Sequence, residues 1–152
     1  MIIGNTVLYG ATGGKLSAAG PAGDRFAVRN SGAVAVIEGA GNHCCEYMTG
    51  GIVLVLRRAG RNFAAGMTNG VASVLDEAGT FPGKVNHDLV ELSQPDAEDV
   101  DLLRKLILEH EDRTVSVRAR NILLRWEEYL PLFRKVSPKG AAAQVAQRGA
   151  GT

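Results

Sequence analysis

The sequence predicts a parallel β-solenoid, in which the chain winds into stacked coils of about 19 residues, because three features recur at that interval. Two of these features are columns of glycine, and two glycines per repeat argue against stacked helix pairs because glycine destabilises helix interiors. The first column, spaced 19, 18, 19 and 19 residues apart, is Gly4, Gly23, Gly41, Gly60 and Gly79. The second column is Gly14, Gly32, Gly51 and Gly70, and a hydroxyl column of Thr12, Ser31, Thr49 and Thr68 accompanies it.

Short apolar runs follow the second glycine column, at residues 16–19, 34–37, 53–56 and 72–75. Parallel pairing of successive coils stacks equivalent residues into ladders. Aligned on the glycines, the runs predict two inward ladders: Leu16, Val34, Val53 and Ala72, then Ala18, Val36, Val55 and Val74. A further inward column follows the first glycines: Val7, Phe26, Cys44 and Phe63.

The positions predicted to face outward are also apolar, namely Ala33, Ile52 and Val71, with Ala35 and Leu54 beside them. A solvated outer face should be polar. We therefore expect this face to be covered, either by the C-terminal helices of the chain or by another domain.

Beyond Gly79 the repeat decays and is followed by a predicted last strand from Val85 to Leu92. Apolar residues then recur at helical spacing over roughly 96–110 and 116–128, and the second helix should break near Pro131. We expect 1–92 to form the coils, 93–138 a two-helix cap of the same domain, and the Gly-, Ala- and Gln-rich residues 139–152 a disordered tail. The predicted class is all-β with C-terminal helices.

Composition narrows the range of functions. With 17 basic and 16 acidic residues the net charge is +1, which gives no electrostatic footprint for nucleic acid or an anionic membrane. No apolar run approaches the length of a membrane span, and no signal peptide pattern is present, so we expect a cytoplasmic protein. The two cysteines, Cys44 and Cys45, are adjacent, an arrangement that rarely forms a structural bridge.

The segment from Val7 to Gly14 resembles the opening of a dinucleotide-binding fold, but its context does not fit one. That fold needs a small residue at position 16, where this chain has leucine, and a helix directly afterwards. A Walker A loop is also excluded, because only three residues separate Gly10 from Gly14 and Leu16 replaces the hydroxyl residue that would hold magnesium. We predict no cofactor-binding residues in this chain.

Catalytic and metal sites are likewise not predicted. Cys44 lies in an inward column, and the adjacent His43 would point to the opposite side of a strand. His43, His87 and His110 lie in different elements without metal-ligand spacing, and Glu109 to Asp112 reads as a solvated helix end. A charged column of Glu38, Arg57 and Asp76 predicts exposed ion pairs, or a contact surface for a neighbouring domain.

Five segments together strongly resemble the glycine-repeat (GXGXG) domain at the C-terminal end of the glutamate synthase large (alpha) subunit. They are residues 4–14, 26–33, 38–41, 45–51 and 60–67. The helical region is similar to the same family through Leu106, Ile107, His110, Thr114 and Ser116, then Ala119, Ile122, Leu123 and Trp126.

The resemblance implies a right-handed, single-stranded parallel β-helix. It also implies a parent oxidoreductase of glutamate biosynthesis and ammonia assimilation, which makes two glutamates from glutamine and 2-oxoglutarate and passes ammonia internally. The catalytic cysteine of that family lies in an amidotransferase domain, and its FMN and iron–sulfur cluster in a synthase domain; neither region is present here. The resemblance therefore assigns no catalytic, cofactor or metal residue to this chain, and names those two domains as its partners.

Two alternatives remain open at this stage. A related glycine-repeat subunit, such as that of formylmethanofuran dehydrogenase, would share the fold, but should match residues 45–51 less well. An acyltransferase on a left-handed β-helix would have coils of similar length but needs a six-residue period, which this sequence lacks.

Overall fold

The structure, a computed structural model, describes residue 4 and residues 7–139. Apart from Lys139, the predicted disordered tail lies outside the described residues. The elements are β1 (Lys15–Ser17), β2 (Ser31–Ile37), β3 (Thr49–Val55), β4 (Asn69–Leu75), β5 (Val90–Ser93), α1 (Ala97–Thr114), α2 (Val117–Leu124), α3 (Trp126–Tyr129) and β6 (Phe133–Pro138). Short 3₁₀ turns cover Phe81–Gly83 and Leu130–Leu132.

The strands form one mixed sheet in the order β1-β2-β3-β4-β6-β5. Strands β1 to β4 pair in parallel, one from each successive coil, whereas β6 runs antiparallel to both β4 and β5. The predicted parallel solenoid with coils of about 19 residues is therefore confirmed. Strand β6 was not predicted; it pairs along β4, whose free edge would otherwise be open to association.

The pairing register corrects the predicted ladders in the second coil. Lys15 pairs with Val34 and Val34 with Ile52, so Ala35, rather than Val34, stands level with Leu16 and Val53. The inward ladders are Leu16, Ala35, Val53 and Ala72, and then Ile37, Val55 and Val74; the outward columns are Val34, Ile52 and Val71, and then Val36, Leu54 and Ser73. The same register places Ala33 level with Gly14, Gly51 and Gly70, whereas Gly50 pairs with Ser31, so Gly32 does not stand in the predicted glycine column. An irregularity between Ser31 and Val34 produces this shift of one residue, which exchanges the two faces of the strand.

The other half of each coil has an unusual backbone. Residues with positive φ recur at every second position: Arg25, Ala27 and Arg29, then His43, Cys45 and Tyr47, then Asn62, Ala64 and Gly66. Their amides bond alternately to the following and the preceding coil, as when His43 donates to Arg61 O (2.8 Å) and Cys45 to Phe26 O (2.9 Å). Each left-handed residue other than glycine costs about 1–2 kcal/mol, so this segment depends on its hydrogen bonds between coils.

This backbone explains why neighbouring side chains share the core. Cys44 and Cys45 are both buried, as are Phe26 and Ala27, because the alternating conformation does not send successive residues to opposite faces as a strand does. The predicted inward column of Phe26, Cys44 and Phe63 is confirmed, and the partly buried Val7 packs against it. These residues and the inward ladders form the core of the solenoid.

Three glycines of the first column stack along one edge. The amide of Gly41 donates to Gly23 O (3.3 Å), and the amide of Gly60 donates to Gly41 O (3.2 Å). A Cβ on Gly60 would lie 2.6 Å from the carbonyl carbon of Gly41, which is closer than real side chains approach. Gly79 does not continue the stack: its φ is +73°, and no non-neighbouring heavy atom lies within 4 Å of its Cβ position.

The helices cover the outer face of the sheet, as predicted. Buried Leu103, Leu106 and Ile107 of α1, with Ala119 and Ile122 of α2, pack in one cluster with the outward strand residues Val36 and Leu54. Helix α1 begins close to the predicted start at residue 96, where Asp96 and Asp99 form a reciprocal capping box. Of the two coverings that the sequence left open, the helices of the chain itself, rather than another domain, occupy this face.

The boundaries of three elements differ from the prediction. Helix α1 continues four residues beyond His110 to Thr114, and the second helix divides at Arg125 into α2 and the single turn α3. The last strand before the helices, β5, covers only Val90–Ser93. Val85 instead forms an isolated parallel bridge to Phe63. A further coil therefore begins at Val85, but it adds no parallel strand after β4 to the sheet.

Candidate functional site

A buried polar cluster joins the second coil to both long helices. The Glu38 carboxylate accepts hydrogen bonds at Oε2 from His110 Nε2 (2.8 Å) and from Ser116 Oγ (2.8 Å). Ser116 Oγ also accepts from the amide of Ala119 (3.0 Å), which caps the start of α2. His110 is fully buried, and among the described residues its Nδ1 has no hydrogen-bond partner.

This cluster contains the residue types of hydrolytic sites, but its arrangement does not permit that chemistry. A nucleophile needs a base as its proton acceptor and a path for substrate. Ser116 donates its hydroxyl hydrogen bond to the Glu38 carboxylate, but both Ser116 and His110 are closed off from solvent, so no path for substrate reaches the hydroxyl. What the cluster does is hold the end of α1 and the start of α2 against the corner after β2.

Two sequence expectations are corrected by this geometry. Residues 109–112 are not a uniformly solvated helix end, because His110 turns into the protein toward Glu38. The column of Glu38, Arg57 and Asp76 does not form exposed ion pairs, because Glu38 and Asp76 are buried and neither bonds to Arg57. Asp76 accepts instead from the amides of Thr80 (3.1 Å) and Phe81 (3.3 Å) and closes the turn after β4.

A second contact between helix and coil is made by Arg118. Its Nε donates to Leu56 O (2.8 Å), one of its terminal nitrogens pairs with Glu77, and its guanidinium lies 5.5 Å from the ring centroid of Tyr129. Burial of this arginine is compensated because its donors reach a carbonyl and a carboxylate. The sequence carried no signal for this contact, because Leu56 and Glu77 lie more than 40 residues away from Arg118.

The two cysteines lie together in the core with their sulfur atoms 3.6 Å apart and are not bonded covalently. The pKa of the Cys44 thiol is raised well above its ordinary value, mainly by a hydrogen bond with Cys45 and to a lesser extent by burial. A protonated, buried thiol is a poor nucleophile. His43 pairs with Glu46 rather than with either sulfur, so the geometry assembles no cysteine–histidine pair.

Asparagine and aspartate side chains cap the stacked glycine edge. Asp24 Oδ1 accepts from the amide of Asn42 (2.9 Å), and Asn42 Oδ1 accepts from the amide of Arg61 (2.9 Å), one coil further on each time. A Cβ on Gly41 would lie 2.4 Å from Asp24 Oδ1, and a Cβ on Gly60 would lie 2.5 Å from Asn42 Oδ1. The glycines therefore leave the space in which each coil caps the next.

Two open clefts lie on the surface of the described domain. A groove of roughly 440 Å³ lies along small residues of the second and third coils, with Glu38, Arg57 and Arg58 on its walls. A cleft of roughly 450 Å³ near the start of α1 is lined by Asp96 and Asp99 among others, and Lys135 pairs with Asp99 there at 2.8 Å.

Within residue 4 and residues 7–139, no group of three or more His, Cys, Asp or Glu side chains is placed to hold a metal ion. None of the helices in those residues has the length and hydropathy to cross a membrane.

The chain matches the model of the GXGXG motif family over residues 1–139. It is 54% identical over 138 residues to ferredoxin-dependent glutamate synthase 1 of Arabidopsis thaliana, covering 90% of this chain and 8% of that protein. It is 52% identical over 139 residues to ferredoxin-dependent glutamate synthase 2 of Synechocystis, covering 91% of this chain and 9% of that protein. An NADH glutamate synthase of Schizosaccharomyces pombe is 49% identical over 151 residues, or 99% of this chain and 7% of that protein.

The chain thus spans less than a tenth of the length of these curated relatives. The match extends through the stacked coils and the helices that cover them, including the segments on which the resemblance was recognised. The chain belongs to the GXGXG motif family, and its domain is the one that these glutamate synthases contain.

Proposed function

We propose that this chain is the structural, non-catalytic glycine-repeat domain of a glutamate synthase. In this proposal the parent enzyme forms two glutamates from glutamine and 2-oxoglutarate, with FMN and an iron–sulfur cluster held elsewhere. The domain keeps the amidotransferase and synthase domains in place, so that ammonia passes internally between them. The observation that carries the proposal is the identity of about half the residues to glutamate synthases over nine-tenths of this chain.

The interior of the domain supports a mechanical role. Hydrogen bonds between coils run through both halves of each repeat, and the Glu38 cluster and Arg118 fasten the helices to that stack. Stacked coils of this kind resist bending because every coil pairs with its neighbours. A rigid spacer of fixed length suits an enzyme whose two reaction centres must stay in register.

The polar groups of the domain support the absence of catalysis. Ser116 and His110 are sealed from solvent, and the thiol of Cys44 is buried and protonated. The half-buried His43 pairs with Glu46, and within residues 7–139 neither side chain hydrogen-bonds to a hydroxyl or thiol group. The proposal therefore places every reacting group of the enzyme outside this chain.

A segment exchange tests the proposal. The 139 aligned residues of the Synechocystis enzyme are replaced by the matching part of this chain, and glutamate formation and glutamine hydrolysis are measured for the chimera and for the free chain. We expect the chimera to form glutamate with glutamine hydrolysis still coupled to it, and the free chain to do neither. In the chimera, His43→Ala and Glu46→Ala should leave kcat within about twofold of the unsubstituted chimera, because these residues take no part in the reaction.

Three results would reject the proposal in whole or in part. Turnover of glutamine by the purified free chain would show that a catalytic group lies within it. A chimera that folds but loses glutamate formation would show that this domain cannot serve in a glutamate synthase. A tenfold loss of kcat in either the His43 or the Glu46 variant, with stability unchanged, would reject the non-catalytic role alone.

A further inference from the structure

Four large apolar side chains lie exposed on the outer side of the helical layer. Leu108 is 51% exposed, Val115 68%, Val117 68% and Leu124 76%. We refer to these four residues as the apolar strip. Seven residues, close to two helical turns, separate Val117 from Leu124, so both lie on one side of α2. The same interval separates Leu108 from Val115, which directly follows α1.

Val115 occupies a backbone conformation that its side chain disfavours. It ends α1 with φ 53° and ψ 41°, a left-handed cap position usually taken by glycine or asparagine. A β-branched residue there is a genuine outlier. Because its side chain is exposed, packing within the described domain does not compensate for this conformation. Strain kept at an exposed apolar residue points to a contact made outside the domain.

A groove continues from the strip at the junction of α2 and α3. It has a volume of roughly 330 Å³ and is lined by Leu123, Leu124 and Trp126, with charged Arg125, Glu127 and Glu128 at its walls. Charged residues also flank the strip itself, since Asp112 and Arg113 precede Val115 and are exposed. An apolar centre with anchoring pockets and a polar rim is the usual make-up of a protein interface.

We infer that the apolar strip is the surface by which this domain packs against the remaining polypeptide of a glutamate synthase. The inference rests on the proposed function. The relatives extend more than tenfold beyond the matched length, so most of such a polypeptide lies outside the segment described here. The other broad apolar surface, the outer face of the sheet, is excluded because α1 and α2 bury it. The occupant is therefore a folded domain of the same enzyme that offers apolar side chains to the strip and its groove.

Amide hydrogen exchange in the free chain and in the Synechocystis chimera tests the inference. We expect residues 112–118, at the corner between α1 and α2, to exchange at least tenfold more slowly in the chimera, because the contact removes them from solvent. The exposed segment around His87 and Asp88 lies off the strip and serves as the internal control. Its exchange should remain the same in both proteins.

A pair of substitutions provides the second readout. Val117→Glu places a negative charge at the first residue of α2 and Leu124→Lys a positive charge at its last residue, and both signs suit the helix dipole. The pair leaves the net charge unchanged, so the free chain should remain folded. In the chimera this pair should raise the rate of proteolytic cleavage between domains at least tenfold, because it removes two central apolar contacts. Leu89→Lys, at a 45% exposed leucine off the strip, is the matched control and should have no such effect.

The outcomes separate the inference from the proposal on which it rests. A chimera that forms glutamate, while exchange at residues 112–118 equals that of the free chain, would overturn the strip as the docking surface and leave the proposed function intact. The same conclusion follows if the double variant and Leu89→Lys resist proteolysis equally well. A folded chimera that forms no glutamate would overturn both.

Discussion

Gly60→Ala tests the stacked-coil architecture at a point where the backbones of two coils lie in close contact. A Cβ on this residue would lie 2.5 Å from Asn42 Oδ1, 2.6 Å from the carbonyl carbon of Gly41 and 2.7 Å from its oxygen. Two of these three atoms belong to the backbone, so they cannot move aside as the end of a flexible side chain can. Relief requires the third and fourth coils to separate at this edge.

The magnitude follows from what such a separation disrupts. Overpacking by one methyl group costs about 1–3 kcal/mol. Loss of the hydrogen bond from the Gly60 amide to Gly41 O (3.2 Å) adds about 1 kcal/mol. We therefore expect Gly60→Ala to lower the free energy of unfolding by about 2–4 kcal/mol, a large part of the stability of a small domain.

Equilibrium unfolding in urea, followed by circular dichroism, measures this difference. Gly83→Ala is the matched control, because no non-neighbouring heavy atom lies within 4 Å of its Cβ position and its φ is not in the left-handed range. The control should change the free energy of unfolding by less than about 1 kcal/mol in either direction. Equal stabilities of Gly60→Ala and Gly83→Ala would refute the close stacking of glycines along this edge.

Three further predictions concern the polar groups. Glu38→Ala leaves the buried donors of His110 and Ser116 without their acceptor, so the free energy of unfolding in urea should fall by at least about 2 kcal/mol; Glu38→Gln keeps an acceptor there, and an equal loss in both variants would contradict this reading. Both cysteines should resist a disulfide reagent at pH 8 and react only in denaturant, because the pKa of Cys44 is raised and both thiols are buried; fast reaction of the native protein would contradict this. Hydrogen bonding to the backbone of Asp99 lowers the pKa of Asp96, so its cap stabilises the fold above the ordinary aspartate pKa of about 3.9, and that contribution disappears as the pH falls through the lower folded value. The stability difference between the native chain and Asp96→Ala should accordingly shrink in acid, and a difference that grows there would show the sign to be wrong.

The repeat was readable from the sequence because close backbone contact between coils requires glycine at fixed positions, so these glycines recur at the spacing of the coils. Gly23, Gly41 and Gly60 mark one edge of the coils, and their spacing, together with the second glycine column and the hydroxyl column, predicted the fold class. The outer face was also predicted correctly as covered, since apolar residues such as Ile52 and Leu54 cannot remain hydrated in such number.

The register of the second coil was not readable in the same way. The glycine spacing aligns Gly32 with Gly51, but the structure pairs Ser31 with Gly50 and places Ala33 level with Gly51. The one-residue irregularity at Gly32 leaves the spacing of the second glycine column unchanged, so the sequence does not reveal it. Because side chains alternate along a strand, choosing the wrong alignment put Val34 inside and Ala35 outside.

Long-range polar contacts lay beyond sequence reasoning for a different reason. His110 sits among charged residues, which is typical of an exposed helix end, and its burial depends on Glu38, 72 residues earlier. Arg118 likewise depends on Leu56 O. The sequence offers no local pattern for such pairs, because the partners meet only after the helices fold back onto the sheet. Strand β6 was missed for a related reason: consecutive Arg134 and Lys135 break the alternation typical of a strand, and the segment becomes one through its pairing with β4.

The most direct test of the whole account is a measurement of proton contacts between coils by nuclear Overhauser effects in the folded chain. We expect cross-peaks from the Gly60 amide to the α protons of Gly41, and from the Gly41 amide to those of Gly23, because hydrogen bonds join these residues across successive coils. An assigned spectrum of the folded protein that lacks both sets, or that connects these glycines only to their chain neighbours, would contradict the stacked solenoid.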